Sequence, residues 1–349
     1  MKKFFKKINF RELGILYALI ILWVLLFATN RTFRDADIYI SILREGSILG
    51  ICGIGMTFCI ASRHFDQSIA SMMALLACVY TALLTKLAPS AGGAGIFISF
   101  LCVMALSVVL GAFNGFLVAK LRIPAFIATL GTLYVYRALA YIVSGGDPVI
   151  INQIVSKEQY GFFRTIGMGS FLGLPVSFWI MLICAVTGTV ILRKTKLGRH
   201  TLAIGNSVSA SRISGINIDR TKIYIFTLVG AFVGVGTILN AAFLGSSNPG
   251  MSAGYEFVVI STVVLGGTAL SGGKGSIFTS IAASIFLVTV TAGMNAFGMD
   301  SFAQRVVQGV ILLFAFSING IRAAMENRRV KSEATKHAKA TKASASDNG

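Results

Sequence analysis

Histidines, cysteines and carboxylates are the side chains from which catalytic and metal centres are built, and their spacing in this sequence assembles neither. His64, His200 and His337 are far apart, with no metal-ligand interval among them. Cys52, Cys59, Cys78, Cys102 and Cys184 all fall inside apolar runs, where a thiol acts as a small hydrophobe, so a disulfide framework is not expected. The stretch Gly266-Gly-Thr-Ala-Leu-Ser-Gly-Gly-Lys-Gly275 looks like a phosphate-binding loop. That loop needs a glycine six residues before its lysine and a hydroxyl residue after it, and Thr268 and Gly275 stand at those positions. The expectation is a chain that is not an enzyme, holds no metal and binds no ATP of its own.

What remains is the chemistry of passage rather than of reaction. A polar solute leaving water must exchange its hydrogen bonds for others, and hydroxyl, amide and aromatic groups inside apolar segments could supply them. Asn114, Phe126, Thr129, Thr132, Asn240, Thr262 and Asn295 are the candidates; each could equally serve as glue between helices. Among ionisable residues only Arg137 lies well inside an apolar run, with Asp66, Glu256 and Arg305 at run ends. A stand-alone secondary carrier for a small polar solute would be expected to bury carboxylates near the membrane midplane. That alternative is therefore disfavoured, as is a membrane-embedded enzyme, for want of an acidic or histidine cluster. A polar substrate moved by external work fits better.

The elements that must position these residues are apolar helices. Of 349 residues 55% are hydrophobic and 13% charged, against about 25% charged in ordinary globular chains, and the mean hydropathy is +0.78. This is an all-α polytopic membrane protein. At about 20 residues per crossing the sequence predicts ten spans, near 13–29, 47–62, 69–87, 94–119, 124–143, 171–192, 223–244, 255–271, 276–296 and 303–321. The second and eighth are short and could be partly re-entrant. Residues 1–12 form a basic terminus, 13–321 the membrane domain, and 322–349 a basic tail with no apolar periodicity, whose composition predicts disorder. The first apolar run has no small-residue cleavage site, so it reads as a retained span.

The net charge of +18 is not a nucleic-acid face, because the basic residues sit between apolar blocks and at the two ends. It orients the chain instead. With ten spans, 23 lysines and arginines fall on the side of the two termini and 7 on the other, which places both termini in the cytoplasm. On the opposite side Arg34, Arg44 and Arg164 could pair with carboxylates of a partner.

Glycines four apart let helices approach closely in a bilayer, and Gly46 with Gly50, Gly111 with Gly115, Gly169 with Gly173, and Gly230 with Gly234 fit that spacing. The glycine strings at 50–55 and 230–236 also suggest that spans 2–5 and 7–10 are inverted repeats, with chance similarity as the competing reading.

The longest internal loop, 193–222, has the make-up of a docking element. Asn206 reads as an N-cap, 207–214 as about two helical turns, and Gly215 as the stop. Val208, Ala210 and Ile213 would offer a small apolar surface with Arg212 beside it. A loop lying on the lipid surface is the alternative.

From these residues outward the chain resembles the permease subunits of bacterial ATP-binding-cassette sugar importers, of the ribose, xylose, arabinose and galactoside type. The likeness covers roughly residues 40–320. It is carried by Arg122–Thr132 (RIPAFIATLGT), Ser211–Arg220 (SRISGINIDR) and the long block Gly254–Gly275, with Gly111–Gly115 (GAFNG) and Gln304–Gly309 (QRVVQG) in the same order. The resemblance implies a homodimer or heterodimer of permease chains in the bacterial inner membrane. It also implies two cytoplasmic ATPase subunits that bind ATP and Mg, and a periplasmic or lipid-anchored sugar-binding protein. Gly205, Asn206, Ala210, Arg212, Gly215 and Ile216 would belong to the helix that couples the permease to its ATPase.

One block departs from the family. Where such permeases usually read Gly-Gly-Ile-Asp-Leu-Ser-Val-Gly-Ser, this chain has Arg63-His64-Phe65-Asp66-Gln67-Ser68-Ile69-Ala70-Ser71. Asp66 and Ser68 could cap the third span or act in coupling or passage. The altered flanks point to a substrate outside the common pentoses, such as a furanose-like signal molecule.

Overall fold

The computed structural model describes residues 14–317 and residue 320. The basic terminus 1–12 and the tail 322–349 lie outside the described residues. The helices, in chain order, begin with α1 (Gly14–Thr29), α2 (Ala36–Ala61), α3 (Ile69–Ala119), α4 (Ala125–Ser144), α5 (Lys157–Met168) and α6 (Val176–Lys194). Then come α7 (Lys196–Asn206), α8 (Val208–Ile213), α9 (Ile218–Leu244), α10 (Tyr255–Leu265), α11 (Ile277–Ala296) and α12 (Ser301–Ser317). Two-residue strands Val149–Ile150 and Ser246–Ser247 pair antiparallel, as do Ser170–Phe171 and Leu174–Pro175. Six of these helices, α2, α3, α4, α6, α9 and α11, are long and apolar enough to cross a membrane; α1, α10 and α12 are shorter apolar helices.

α2 is the axis of the bundle. Every residue from Gly46 to Ala61 is buried, as befits a segment with no polar stripe. Around it stand α6, α9, α10 and α11, while α4, the outer face of α6 and the second arm of α3 leave large apolar side chains uncovered, among them Val109, Tyr134, Ile142 and Ile183. Such an outer surface suits lipid or another apolar chain and not water.

α3 runs for 51 residues but is two helices. At Gly92 the backbone takes φ +55°, ψ −130°, a conformation open essentially to glycine, and the chain doubles back so that Gly95 lies against the backbone of Leu87 and Ala88. The third and fourth predicted spans are its two arms. At the turn the Ala88 carbonyl accepts from Gln159 Nε2 at 3.3 Å.

Close glycine approach holds the helices together. A Cβ on Gly111 would sit 3.0 Å from the Cα of Gly230, and one on Gly55 3.0 Å from the Cα of Val229, so α9 packs backbone to backbone against α3 and α2. Gly46 and Gly50 face Ile285 and Ser284 of α11 in the same way. The predicted pair Gly169 with Gly173 fails. Gly173 takes φ +77° next to Leu172 at φ +53° in a tight hairpin, where two left-handed residues suit a two-residue turn, and it touches no helix. The sixth helix accordingly starts at Val176, after the hairpin, and not at 171.

The second span is also longer than expected. Arg44 and Glu45 read as a polar boundary, yet α2 begins at Ala36 and carries both. Arg44 is buried, donates to the Met168 carbonyl at 2.9 Å and lies 5.6 Å from the centre of the Phe243 ring. It is an internal tie between helices and is not available to a partner's carboxylates.

Candidate functional site

The 193–222 loop folds as two helices rather than one. Thr195 caps α7 by accepting from Gly198 N, and Ser207, not Asn206, caps α8 by accepting from Ala210 N at 3.2 Å. Asn206 is instead the last residue of α7. Gly215 follows α8 in the left-handed conformation, φ +76°, as a helix stop requires. Ser211 faces inward, while Ala210, Arg212, Ile213 and Gly215 are exposed and Ile216 is half-buried. Ile213 is 88% exposed, an apolar side chain held out on a rigid turn.

α7 is fastened to the bundle axis at one point. Gly205 meets the Ala61 carbonyl and the Gly273 amide so closely that no Cβ fits. The Gly273 amide in turn donates to Ala61 O at 2.8 Å. Arg63 completes the knot: its Nε donates to the Ser271 carbonyl and its Nη2 to the Asn206 carbonyl at 3.0 Å. The end of α2, the end of α7 and the 266–275 segment are therefore tied together. The glycine-rich stretch contributes Ser271 and Gly273 to this joint. Arg63 takes φ +65°, which accounts for glycine at this position in the family pattern and for the cost of an arginine here, about 1–3 kcal/mol, which its two hydrogen bonds offset.

Asp66 is fully buried at the start of α3. Its Oδ1 accepts from Ser68 N at 2.9 Å and from Ser68 Oγ at 2.6 Å. Ser68 is the N-cap residue of α3 but makes no side-chain capping bond, so Asp66 fixes the turn and does not cap the helix with Ser68. Asn114 Nδ2 donates to Ser68 Oγ at 2.8 Å, and its Oδ1 accepts from the Tyr136 hydroxyl at 3.1 Å. Thr129 Oγ1 accepts from Gln67 N at 3.0 Å. Burial raises the Asp66 carboxyl above its ordinary range, with the Ser68 and Asn114 hydrogen bonds pulling the other way. Nearby His64 contacts Ser62 Oγ at 3.0 Å, and burial, then the Lys222 charge, lowers it to about 4.

The other sequence candidates scatter. Thr132 and Thr262 are buried and bond to their own helices. Asn240 is half-buried on α9 and Phe126 is exposed at the start of α4. Asn295 opens into a cavity of about 450 Å³ at the far end from α8, which Thr32, Ser41, Glu45 and Thr291 also line. Hydroxyls, an amide and a carboxylate around one cavity are groups a polyol can bond. The buried Glu256, in the first turn of α10, leaves its Oε2 without a hydrogen bond. Asp66 and Glu256 do sit at helix ends, as the sequence suggested, but both are buried. Neither lies near the middle of a span, where an ion-coupled carrier would be expected to hold one. Among the described residues no group of three metal-type ligands occurs.

The family described as branched-chain amino acid transport system / permease component matches residues 38–316. The ribose import permease protein of Escherichia coli K12 is 32% identical, covering 91% of this chain and 96% of its own length. The L-arabinose transport system permease protein of the same organism is 40% identical over 77% of this chain and 78% of its own. The Bacillus subtilis ribose import permease protein is 33% identical over 91% and 97%. No solved structure matches.

Proposed function

Because the chain belongs to the family of branched-chain amino acid transport system / permease components, we propose that it is the non-catalytic, membrane-spanning subunit of an ATP-binding-cassette importer in a bacterial inner membrane. Its substrate is a monosaccharide or closely related small polar solute, by likeness to the ribose and L-arabinose permeases. ATP and Mg are bound by separate ATPase subunits, and a second permease chain and an external sugar-binding protein complete the assembly. In this reading the chain crosses the membrane ten times, the two arms of α3 counting separately. Both termini and the α7–α8 end face the cytoplasm, and spans 2–5 and 7–10 are inverted repeats that rock against each other.

The observation that carries the reading is the knot at Gly205. α8 presents Ala210 and Ile213 outward, and its carrier helix is fixed to the buried axis helix. An ATPase that grips α8 therefore moves the centre of the bundle, not a loose loop. Asn206, Gly215 and Ile216 shape the same element. The cavity beside Asn295 serves as an outer polar station, and Asn114, Thr129 and Asp66 form the joint on which α3 and α4 pivot. Ile213→Asp is expected to abolish copurification of the ATPase while membrane insertion is unchanged; intact copurification would remove α8 as the docking element.

A further inference from the structure

We propose that the cavity beneath α8 binds the phosphate headgroup of an anionic phospholipid from the leaflet at this end of the molecule. The cavity, about 320 Å³, lies between α8 and the adjoining ends of α3, α4 and α9, and its lining includes Arg122, Arg212 and Lys222. Against these three cations stands one carboxylate, Asp219, whose Oδ2 lies 4.0 Å from the exposed Lys120 ammonium. The excess is positive, and His64 in the same lining responds to it: after burial, the Lys222 charge is what disfavours its protonation.

The rest of the lining is apolar, with Val118, Pro124 and Ala125 among it. Beside it the last turn of α3, the short connection after it and the first turn of α4 expose Phe116, Leu121, Phe126 and Ile127. A site that joins cations at helix ends to uncovered apolar helix surface matches an amphiphile, whose phosphate meets the cations while its acyl chains follow the greasy flank. A soluble phosphate would use the first half of that surface only. A carboxylate from a docked protein is the poorer match, because Val208 and Arg212 face the cavity while Ile213 is held out into solvent. Occupancy would brace the underside of α8, making the lipid part of the hinge that the ATPase drives.

Native mass spectrometry of the delipidated full-length chain, titrated with phosphatidylglycerol, tests this. The wild type is expected to hold a phosphatidylglycerol adduct but none with phosphatidylcholine, and millimolar inorganic phosphate should leave it in place. At roughly a factor of five per cation near a surface, Arg122→Gln with Lys222→Gln should weaken the adduct about twenty-five-fold. Lys222→Gln alone should weaken it about fivefold, and the charge-conserving Arg122→Lys with Lys222→Arg should retain it. Equal retention by the glutamine variants would overturn the proposal. So would displacement by inorganic phosphate, which would mark a soluble-anion site, or expulsion of the lipid on assembly with the ATPase, which would mark a protein partner in the cavity.

Discussion

At the scale of single residues, the tightest constraint falls on a position with no functional group. Gly205 has no room for a methyl, because backbone from two other segments closes on it. Gly205→Ala should therefore part α7 from α2, costing about 1–3 kcal/mol as overpacking against main chain and lowering the thermal midpoint of the purified chain. Transport should fall even where the protein still inserts. His64 makes a pH prediction whose sign can be worked out. Its folded value of about 4 lies below its ordinary 6.5, so its contribution to stability is complete above pH 6.5 and is lost as pH falls from there toward 4. Thermal unfolding in detergent between pH 7.5 and 4 should show a steeper loss for the wild type than for His64→Gln. Parallel curves would show that the ring is not held neutral by its surroundings.

At the scale of elements, the joint between α3 and α4 rests on Asn114, which ties Ser68 at the start of one arm to Tyr136 on α4. Asn114→Leu keeps the branched shape but removes both of these hydrogen bonds, leaving Ser68 Oγ only its bond to Asp66 and the Tyr136 hydroxyl only its bond to the Leu110 carbonyl. A loss of roughly 1–3 kcal/mol is expected, read as a lower midpoint with full membrane insertion. Asn114 and Thr129 were identifiable in the sequence as polar groups in apolar helices, yet their convergence on Asp66 was not, because it depends on the reversal at Gly92 bringing residue 114 back beside residue 68. The two arms themselves were legible as the apolar runs 69–87 and 94–119. Other misses have local causes. α5 was overlooked in a polar loop although Ser156 and Gln159 spell a reciprocal cap, and both of its hydrogen bonds form. α8 was placed one residue early because asparagine and serine are equally good caps, and only the packing of Asn206 beside Gly273 decides between them. Arg44 misled in the same way: a charge reads as a boundary until its carbonyl and aromatic partners are known.

At the scale of the molecule, the mechanism requires that force enter from outside the chain. Uptake in sealed vesicles holding the assembled importer should survive collapse of the proton gradient while ATP is present, and should stop when ATP is removed. Uptake that follows the gradient instead would restore the ion-coupled carrier, for which the buried Asp66 and Glu256 would then be the first suspects. The central placement of α2 bears also on how the protein is made. This helix is the least hydrophobic of the six long apolar helices, carries Arg44 and Glu45, and is the one most completely enclosed, together with α9, in the finished bundle. Yet it leaves the ribosome early, and α9, which covers it, begins about 150 residues later, on the order of ten to thirty seconds at bacterial elongation rates. During that interval the faces it will turn to α9, α10 and α11 lack those neighbours, with α6 alone of its main partners already made, so the nascent chain depends on the insertion machinery to shelter a helix most of whose lasting partners have not yet been translated.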